Sequence, residues 1–205
     1  EAPTTVVDFS GPNLAKQMHV GHLRSTIIGD VIARVLEFYY GIPEKIIRQN
    51  HVGDWGLQIG MVIEAMAAAQ KHCAGGASFT LQDLEESYRS INEQVKGDAA
   101  LAEQCRRRVV LLQQGDKESR TLWDLARQIS LGACNAIYQR LNVKLSDADV
   151  RGESYYNDFL GEVISELRAN NMLEESDGAQ CVFMEGFKNK EGEPLPLIVQ
   201  KSDGA

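Results

Sequence analysis

The sequence predicts an α/β protein: a parallel sheet entered through one βαβ unit, interrupted by a block of helices and followed by an antiparallel hairpin. Three observations predict it. Within about fifty residues a β-branched run, an apolar run of helical period and a second β-branched run succeed one another. Residues 57 to 140 then carry helical patterning throughout. The last stretch reads as two strands around a polar turn.

Each element has its own signal. TTVVDF, residues 4–9, is a short β-branched run bounded by Ser10, Gly11, Pro12 and Asn13, which suits a buried strand. Leu23, Ile27, Ile28, Val31, Val35, Leu36 and Tyr39 recur at helical spacing, and Gly41 with Pro43 ends that helix. KIIRQN resumes as a second strand, and the strand–helix–strand order implies a right-handed crossover and a parallel sheet. These elements fall in residues 1–60.

The helical block is placed at residues 61–140, with breaks at Gly75-Gly76, Gly97-Asp98 and Gly115-Asp116. Residues 141–170 hold NVKLSD, read as a return to the sheet, and an amphipathic helix over Asp158 to Asn170. Residues 171–205 hold the hairpin AQCVFMEGF-KNKEGE-PLPLIVQK, which stops after the turn signal Asp203-Gly204. With Glu1 at the other end, the expectation is a piece cut from a longer protein.

Composition narrows the function. A net charge of −8 argues against a broad basic face that coats nucleic acid, though not against a few local contacts with a structured RNA. The most apolar helical stretch, GMVIEAMAAA, is short and carries Glu64, so membrane insertion is not expected. Cys73, Cys105, Cys134 and Cys181 are scattered without a CxxC pair, which reads as reduced thiols in a cytosolic protein. Arg106-Arg107-Arg108 and the acidic run Asp83 to Glu86 both read as solvated helix faces.

Chemistry concentrates at HVGH, residues 19–22, between the first strand and its helix. A zinc site needs three or four ligands, and His51 and His72 lie far along the chain with no cysteine or carboxylate at ligand spacing. No protein-bound metal is expected. Two polar residues near a helix start are also compatible with no function at all. The position favours one, because ligands of open α/β sheets bind at the C-terminal edge and a helix N-terminus attracts phosphate. Gly21 leaves the backbone open to a ligand. Two imidazoles there can donate hydrogen bonds to phosphates as charge builds, and Lys16 supplies a mobile cation. This suits attack on the α-phosphate of ATP. The absence of GxxxxGK[ST] makes γ-phosphate transfer a poor fit.

HVGH resembles the HIGH signature of class I aminoacyl-tRNA synthetases and their nucleotidyltransferase relatives. The longer run DFSGPNLAKQMHVGHLRSTIIGD resembles the arginyl-tRNA synthetase family in particular, as do NHVGDWGLQIGM, LNV, GESYYN and FKNKEGEPLPLIVQKSDG, in that order. The resemblance implies the first half of a class I Rossmann-type nucleotide-binding domain with a helical block and an antiparallel β-hairpin insertion. The activity it implies is ATP-dependent activation of L-arginine to arginyl-adenylate and transfer to tRNA(Arg), with Mg2+ accompanying the ATP. A cytoplasmic, monomeric full-length enzyme is implied, and an inactive isolated chain.

By the same resemblance His19, Gly21, His22 and Lys16 hold ATP, with His19, His22 and Lys16 catalytic. Lys16 stands in for a lysine that many members lack in the downstream KMSKS loop. Gly11, Pro12, Asn13 and His22 correspond to arginine contacts. Gly11 departs from the usual serine or alanine, so only a backbone contact survives there. In the second run Trp55 reads as a core anchor and Gly53 and Gly56 as turn residues, with Asn50 and Asp54 as supports behind the site. Two other readings stand beside this one: a nucleotidyltransferase of the HxGH superfamily with another substrate, and a non-catalytic binding or scaffold module.

Overall fold

Alternating exposure along Thr5, Val6, Val7 and Asp8 forms β1 (Thr5–Asp8), which pairs in parallel with β2 (Ile46–Val52) from Thr5 opposite Ile46 to Asp8 opposite Gln49. The computed structural model describes residues 3–72 and 78–202, with the backbone only at His72. Cys73, the Gly75-Gly76 break and the Asp203-Gly204 turn lie outside the described residues. The chain divides into two compact units, Glu1–Tyr155 and Tyr156–Ala205.

Helix α1 (Val20–Tyr40) connects β1 to β2, and Gly41 ends it with φ of 65°, a left-handed turn that glycine adopts without strain. The helix is where the sequence places it, but its packed face is not the apolar one. Thr26, Gly29, Asp30 and Ala33 are buried, whereas Ile27, Ile28, Val31, Val35 and Tyr39 are exposed. Close approach decides this. A Cβ on Gly29 would lie 2.2 Å from Cβ of Phe9, so only glycine lets α1 settle on the end of β1. Asp30 is buried because it is bonded: it accepts from the Lys144 amide at 2.9 Å and pairs with Arg34 at 2.6 Å.

Strand β2 pairs in parallel with the short β3 (Val150–Gly152), giving the order β1-β2-β3. The return to the sheet therefore falls on Val150–Gly152 and not on NVKLSD. Three backbone donors within that run are already committed. Val143 N–H closes the preceding helix onto the Tyr138 carbonyl, Lys144 N–H goes to Asp30, and Ser146 with Asp149 forms a reciprocal cap. Those three amides are not available to a ladder.

Among the described residues four helices lie between β2 and β3: α2 (Leu57–His72), α3 (Leu81–Gln94), α4 (Ala99–Gln113) and α5 (Lys117–Arg140). Asp98 and Asp116 accept from the first amides of α4 and α5, as N-cap carboxylates do. Ile59, Val62, Ile63, Met66, Leu84, Leu112, Leu122 and Ala126 form their common core. Arg108 is part of that interior. It donates to Glu64 at 2.7 Å and to Glu118 at 2.9 Å, which corrects the solvated reading of Arg106 to Arg108. Arg106 does lie on the surface, paired with Glu103. Towards the sheet, α5 presents Leu131 to Leu14, Val52 and Val150, and Cys134 with Tyr138 to Phe9.

The second unit contains α6 (Leu160–Ala169) and an antiparallel sheet of β4 (Glu174–Ser176), β5 (Ala179–Lys188) and β6 (Pro194–Gln200), in that order. The hairpin is as predicted. The sequence reading lacked β4, a three-residue strand of polar composition.

Candidate active site

The loops that leave β1 and β2 are joined to each other. Gly53 N–H donates to the Pro12 carbonyl at 3.1 Å and Leu14 N–H to the Gly53 carbonyl at 3.0 Å. Gly53 has to be glycine because a Cβ there would meet the Asn13 side-chain oxygen at 2.2 Å. Pro12 is buried and Asn13 is exposed at the C-terminal edge of the sheet.

Before them the backbone turns sharply. Ser10 and Gly11 both have positive φ, 75° and 59°, and Ser10 pays for this conformation with side-chain bonds. Its hydroxyl lies 2.7 Å from Tyr138 Oη and 2.9 Å from Thr26 Oγ1, and its amide donates to Ser25 Oγ. Gly11 N–H donates to Asn50 Oδ1 at 3.0 Å, and Asn50, fully buried, donates its amide to Tyr138 Oη at 3.3 Å.

The HVGH turn is a reciprocal cap made of two imidazoles. His19, the N-cap of α1, accepts at Nδ1 from Gly21 N–H at 3.1 Å, and His22 accepts at Nδ1 from His19 N–H at 3.3 Å. A ring nitrogen that accepts carries no proton, so both rings hold their proton on Nε2. Burial, and secondly the neighbouring His19, push the His22 imidazole below its ordinary range. Each ring thus offers one N–H donor while the first orphan amides of α1 are satisfied from within. Gly21 has a tighter reason than ligand access: a Cβ there would come within 2.9 Å of the His19 ring.

Lys16 sits in the loop just before the turn, with its ammonium 4.5 Å from the centre of the Tyr88 ring on α3. Asn50 reaches the Gly11 amide. Asp54, fully buried, accepts from Ser154 N–H at 2.9 Å and Ser154 Oγ at 2.7 Å, so it ties the end of β2 to the segment after β3. Trp55 packs edge-on against Trp123, 5.9 Å between ring centres. Gly56 turns with φ of 85°.

Sequence reasoning missed Ser10, Thr26 and Tyr138. The first two lie inside the stretch it singled out, and their signal is a hydroxyl on each side of a tight turn. Tyr138 has only the weak signal of a polar-tipped aromatic on the inner face of a helix. Two cavities of about 580 and 460 Å³ lie among α2, α3 and α4, and none of their lining residues belongs to the HVGH region. The HVGH turn follows β1, an outer strand of the sheet among the described residues. Among the described residues no three His, Cys, Asp or Glu side chains converge to hold a metal.

A parallel sheet whose first strand delivers an HxGH turn to a helix N-terminus at its C-terminal edge defines the class I, Rossmann-type nucleotide-binding architecture. The family model described as tRNA synthetases class I (R), catalytic domain, matches residues 1–205, and the chain belongs to that family.

The relatives agree. The chain is 51% identical over 204 residues to the arginine–tRNA ligase of Shewanella woodyi, covering 100% of this chain and 35% of that protein. It is 55% identical over 203 residues to the arginine–tRNA ligase of Ectopseudomonas mendocina, covering 99% of this chain and 34% of that one. The crystal structure of arginyl-tRNA synthetase from Plasmodium falciparum superposes with a TM-score of 0.77 at 35% identity, over 97% of this chain and 32% of that chain. Thermus thermophilus arginyl-tRNA synthetase shares the fold, with a TM-score of 0.64 at 20% identity over 100% of this chain and 34% of its own. The chain spans about a third of the length of the relatives it matches.

Proposed function

We propose that this chain is the first part of the catalytic region of an arginine–tRNA ligase. The complete protein condenses L-arginine with ATP to arginyl-adenylate and pyrophosphate, then transfers the arginyl group to tRNA(Arg). The observation that carries the reading is the imidazole cap at HVGH, in a chain more than half identical to named arginine–tRNA ligases.

The carboxylate of arginine is the nucleophile. It forms a bond to the α-phosphorus of ATP, the bond to the bridging oxygen breaks, and pyrophosphate leaves with that electron pair. Nε2–H of His19 and of His22 donates to phosphate oxygens as negative charge grows on them, the point in the reaction at which a fixed donor contributes most. Gly21 keeps both rings in place by leaving room for the His19 imidazole. Lys16 swings from the Tyr88 face onto the phosphates, a motion its four-carbon stem allows.

Gly11, Pro12, Asn13 and His22 form the arginine side of the site, Gly11 through its backbone alone. Asn50 and Asp54 act behind it by holding the two loops. Mg2+ comes with the nucleotide and neutralises its charge, and no residue of this chain is assigned to it. The complete enzyme is read as a cytoplasmic monomer. No helix of the described residues is long and apolar enough to cross a membrane.

The test uses a complete ligase that carries this segment. His22→Ala is expected to lower the rate of arginine-dependent ATP–pyrophosphate exchange by about 100-fold or more, with ATP binding changed by less than about fivefold. Weakened ATP binding with an unchanged rate at saturation would refute the role of His22. The 205-residue chain alone is expected to show no exchange, and turnover by it would overturn the reading of an incomplete site.

A further inference from the structure

The hydroxyl of Tyr138 lies 128 residues from Ser10 in sequence and 2.7 Å from it in space. Around it the outer bonds of a hydrogen-bonded chain have a fixed direction. The Asn50 amide nitrogen can only donate to Tyr138 Oη, and the His22 carbonyl can only accept from Thr26 Oγ1, 2.7 Å away. Each hydroxyl between these two ends has one proton. Thr26 Oγ1 shares its proton between the His22 carbonyl and Ser10 Oγ, 2.9 Å away, and either hydroxyl of the Ser10–Tyr138 pair can donate to the other. The bonds link Asn50, Tyr138, Ser10, Thr26 and the His22 carbonyl into one continuous chain beneath the turn.

We infer that Tyr138 is a positioning residue for the amino-acid side of the site, one that acts through Ser10 and Asn50 without touching substrate. The inference rests on the ligase reading above. Ser10 and Gly11 are both in the left-handed region, so the backbone that aims Gly11, Pro12 and Asn13 is held by side chains and not by its own preference. Ser10 is held by its hydroxyl and Gly11 by its amide bond to Asn50 Oδ1, and Tyr138 Oη bonds to both holders. Removing that oxygen leaves the buried Asn50 amide without this acceptor and takes from the Ser10 hydroxyl its shortest bond. The loop is then free to relax towards negative φ, which turns Gly11 and Asn13 away from the sheet edge.

This differs from a purely structural role in what it does to kinetics. A packing defect lowers the amount of active enzyme and leaves the Michaelis constants alone. A misaimed loop raises the constant for the ligand it aims at. In a complete ligase carrying this segment, Tyr138→Phe is expected to raise KM for arginine about tenfold and KM for ATP less than threefold, in arginine-dependent ATP–pyrophosphate exchange. Ser10→Ala should do the same. The double variant should be no worse than the more severe single one, because both cut one chain of bonds.

An unchanged KM for arginine in Tyr138→Phe, or a loss confined to kcat, overturns the inference. Should Tyr138→Phe fold poorly, Ser10→Ala decides it alone by the same criterion. Wild-type enzyme that shows no exchange with arginine and tRNA(Arg) both present, and no charging of tRNA(Arg), would instead sink the ligase reading, so the two failures are told apart.

Discussion

The imidazole rings of His19 and His22 lie one over the other, 3.8 Å between centres and 24° between planes. Both must stay neutral at Nδ1 for the cap to exist, and a proton on one repels a proton on the other.

His22 is held below its ordinary value of 6.5, so its neutral form is the one the fold favours. The cap is then complete above the ordinary histidine range and is lost as pH falls through the lowered value. Nitrogen-detected NMR should find His22 as the Nε2–H tautomer at pH 7, titrating below 6.5. A midpoint above 6.5, or a proton on Nδ1, would contradict the cap.

Gly29 and Gly132 make a matched pair for testing close approach. Alanine at Gly29 places a methyl group inside the Phe9 side chain and should cost about 1–3 kcal/mol in urea unfolding. Alanine at Gly132, an exposed site inside α5 with open space around it, should add about 0.5–1 kcal/mol. Equal effects at the two sites would mean α1 does not rest on Phe9.

Arg106 and Arg108, two residues apart on α4, should respond very differently to alanine. Removing Arg108 strands the Glu64 carboxylate in the interior and should cost about 3–5 kcal/mol. Removing Arg106 breaks one surface pair and should change stability by less than about 0.5 kcal/mol. Similar values from denaturant titration would return Arg108 to the solvated face.

The outer stripe of α1, Ile28, Val31, Val35 and Phe38, is exposed, Phe38 at 91%. Contiguous apolar surface of this kind drives association in water. The 205-residue protein is therefore expected to self-associate in sedimentation velocity, and Val35→Glu with Phe38→Glu should shift it to monomer. A wild-type chain already monomeric at about 100 μM would show that the stripe is harmless.

That stripe also marks where sequence reasoning reached its limit. Ile27, Val31 and Val35 correctly announce a helix, because periodicity reports that a face exists. It does not report which face is used. Packing onto β1 went to Gly29 and Ala33 for their size and to Thr26 and Asp30 for bonds made to residues as distant as Lys144. The HVGH turn was legible because its parts are adjacent in the chain. Arg108 and Tyr138 were not, since the burial of one and the bonds of the other depend on partners on other elements. NVKLSD looks like a strand until Asp30 takes the Lys144 amide.

Asp54 and Ser154 clasp each other across 100 residues. The clasp makes the four helices between them a cassette with a fixed doorway. Closing so long a loop costs little more than closing one of half its length, since the entropy grows only with the logarithm of length. The doorway holds β2 against β3 whatever path the chain takes between them. Tyr138 adds a second tie: α5 has to deliver one hydroxyl beneath Ser10 as well as its apolar residues to the two cores.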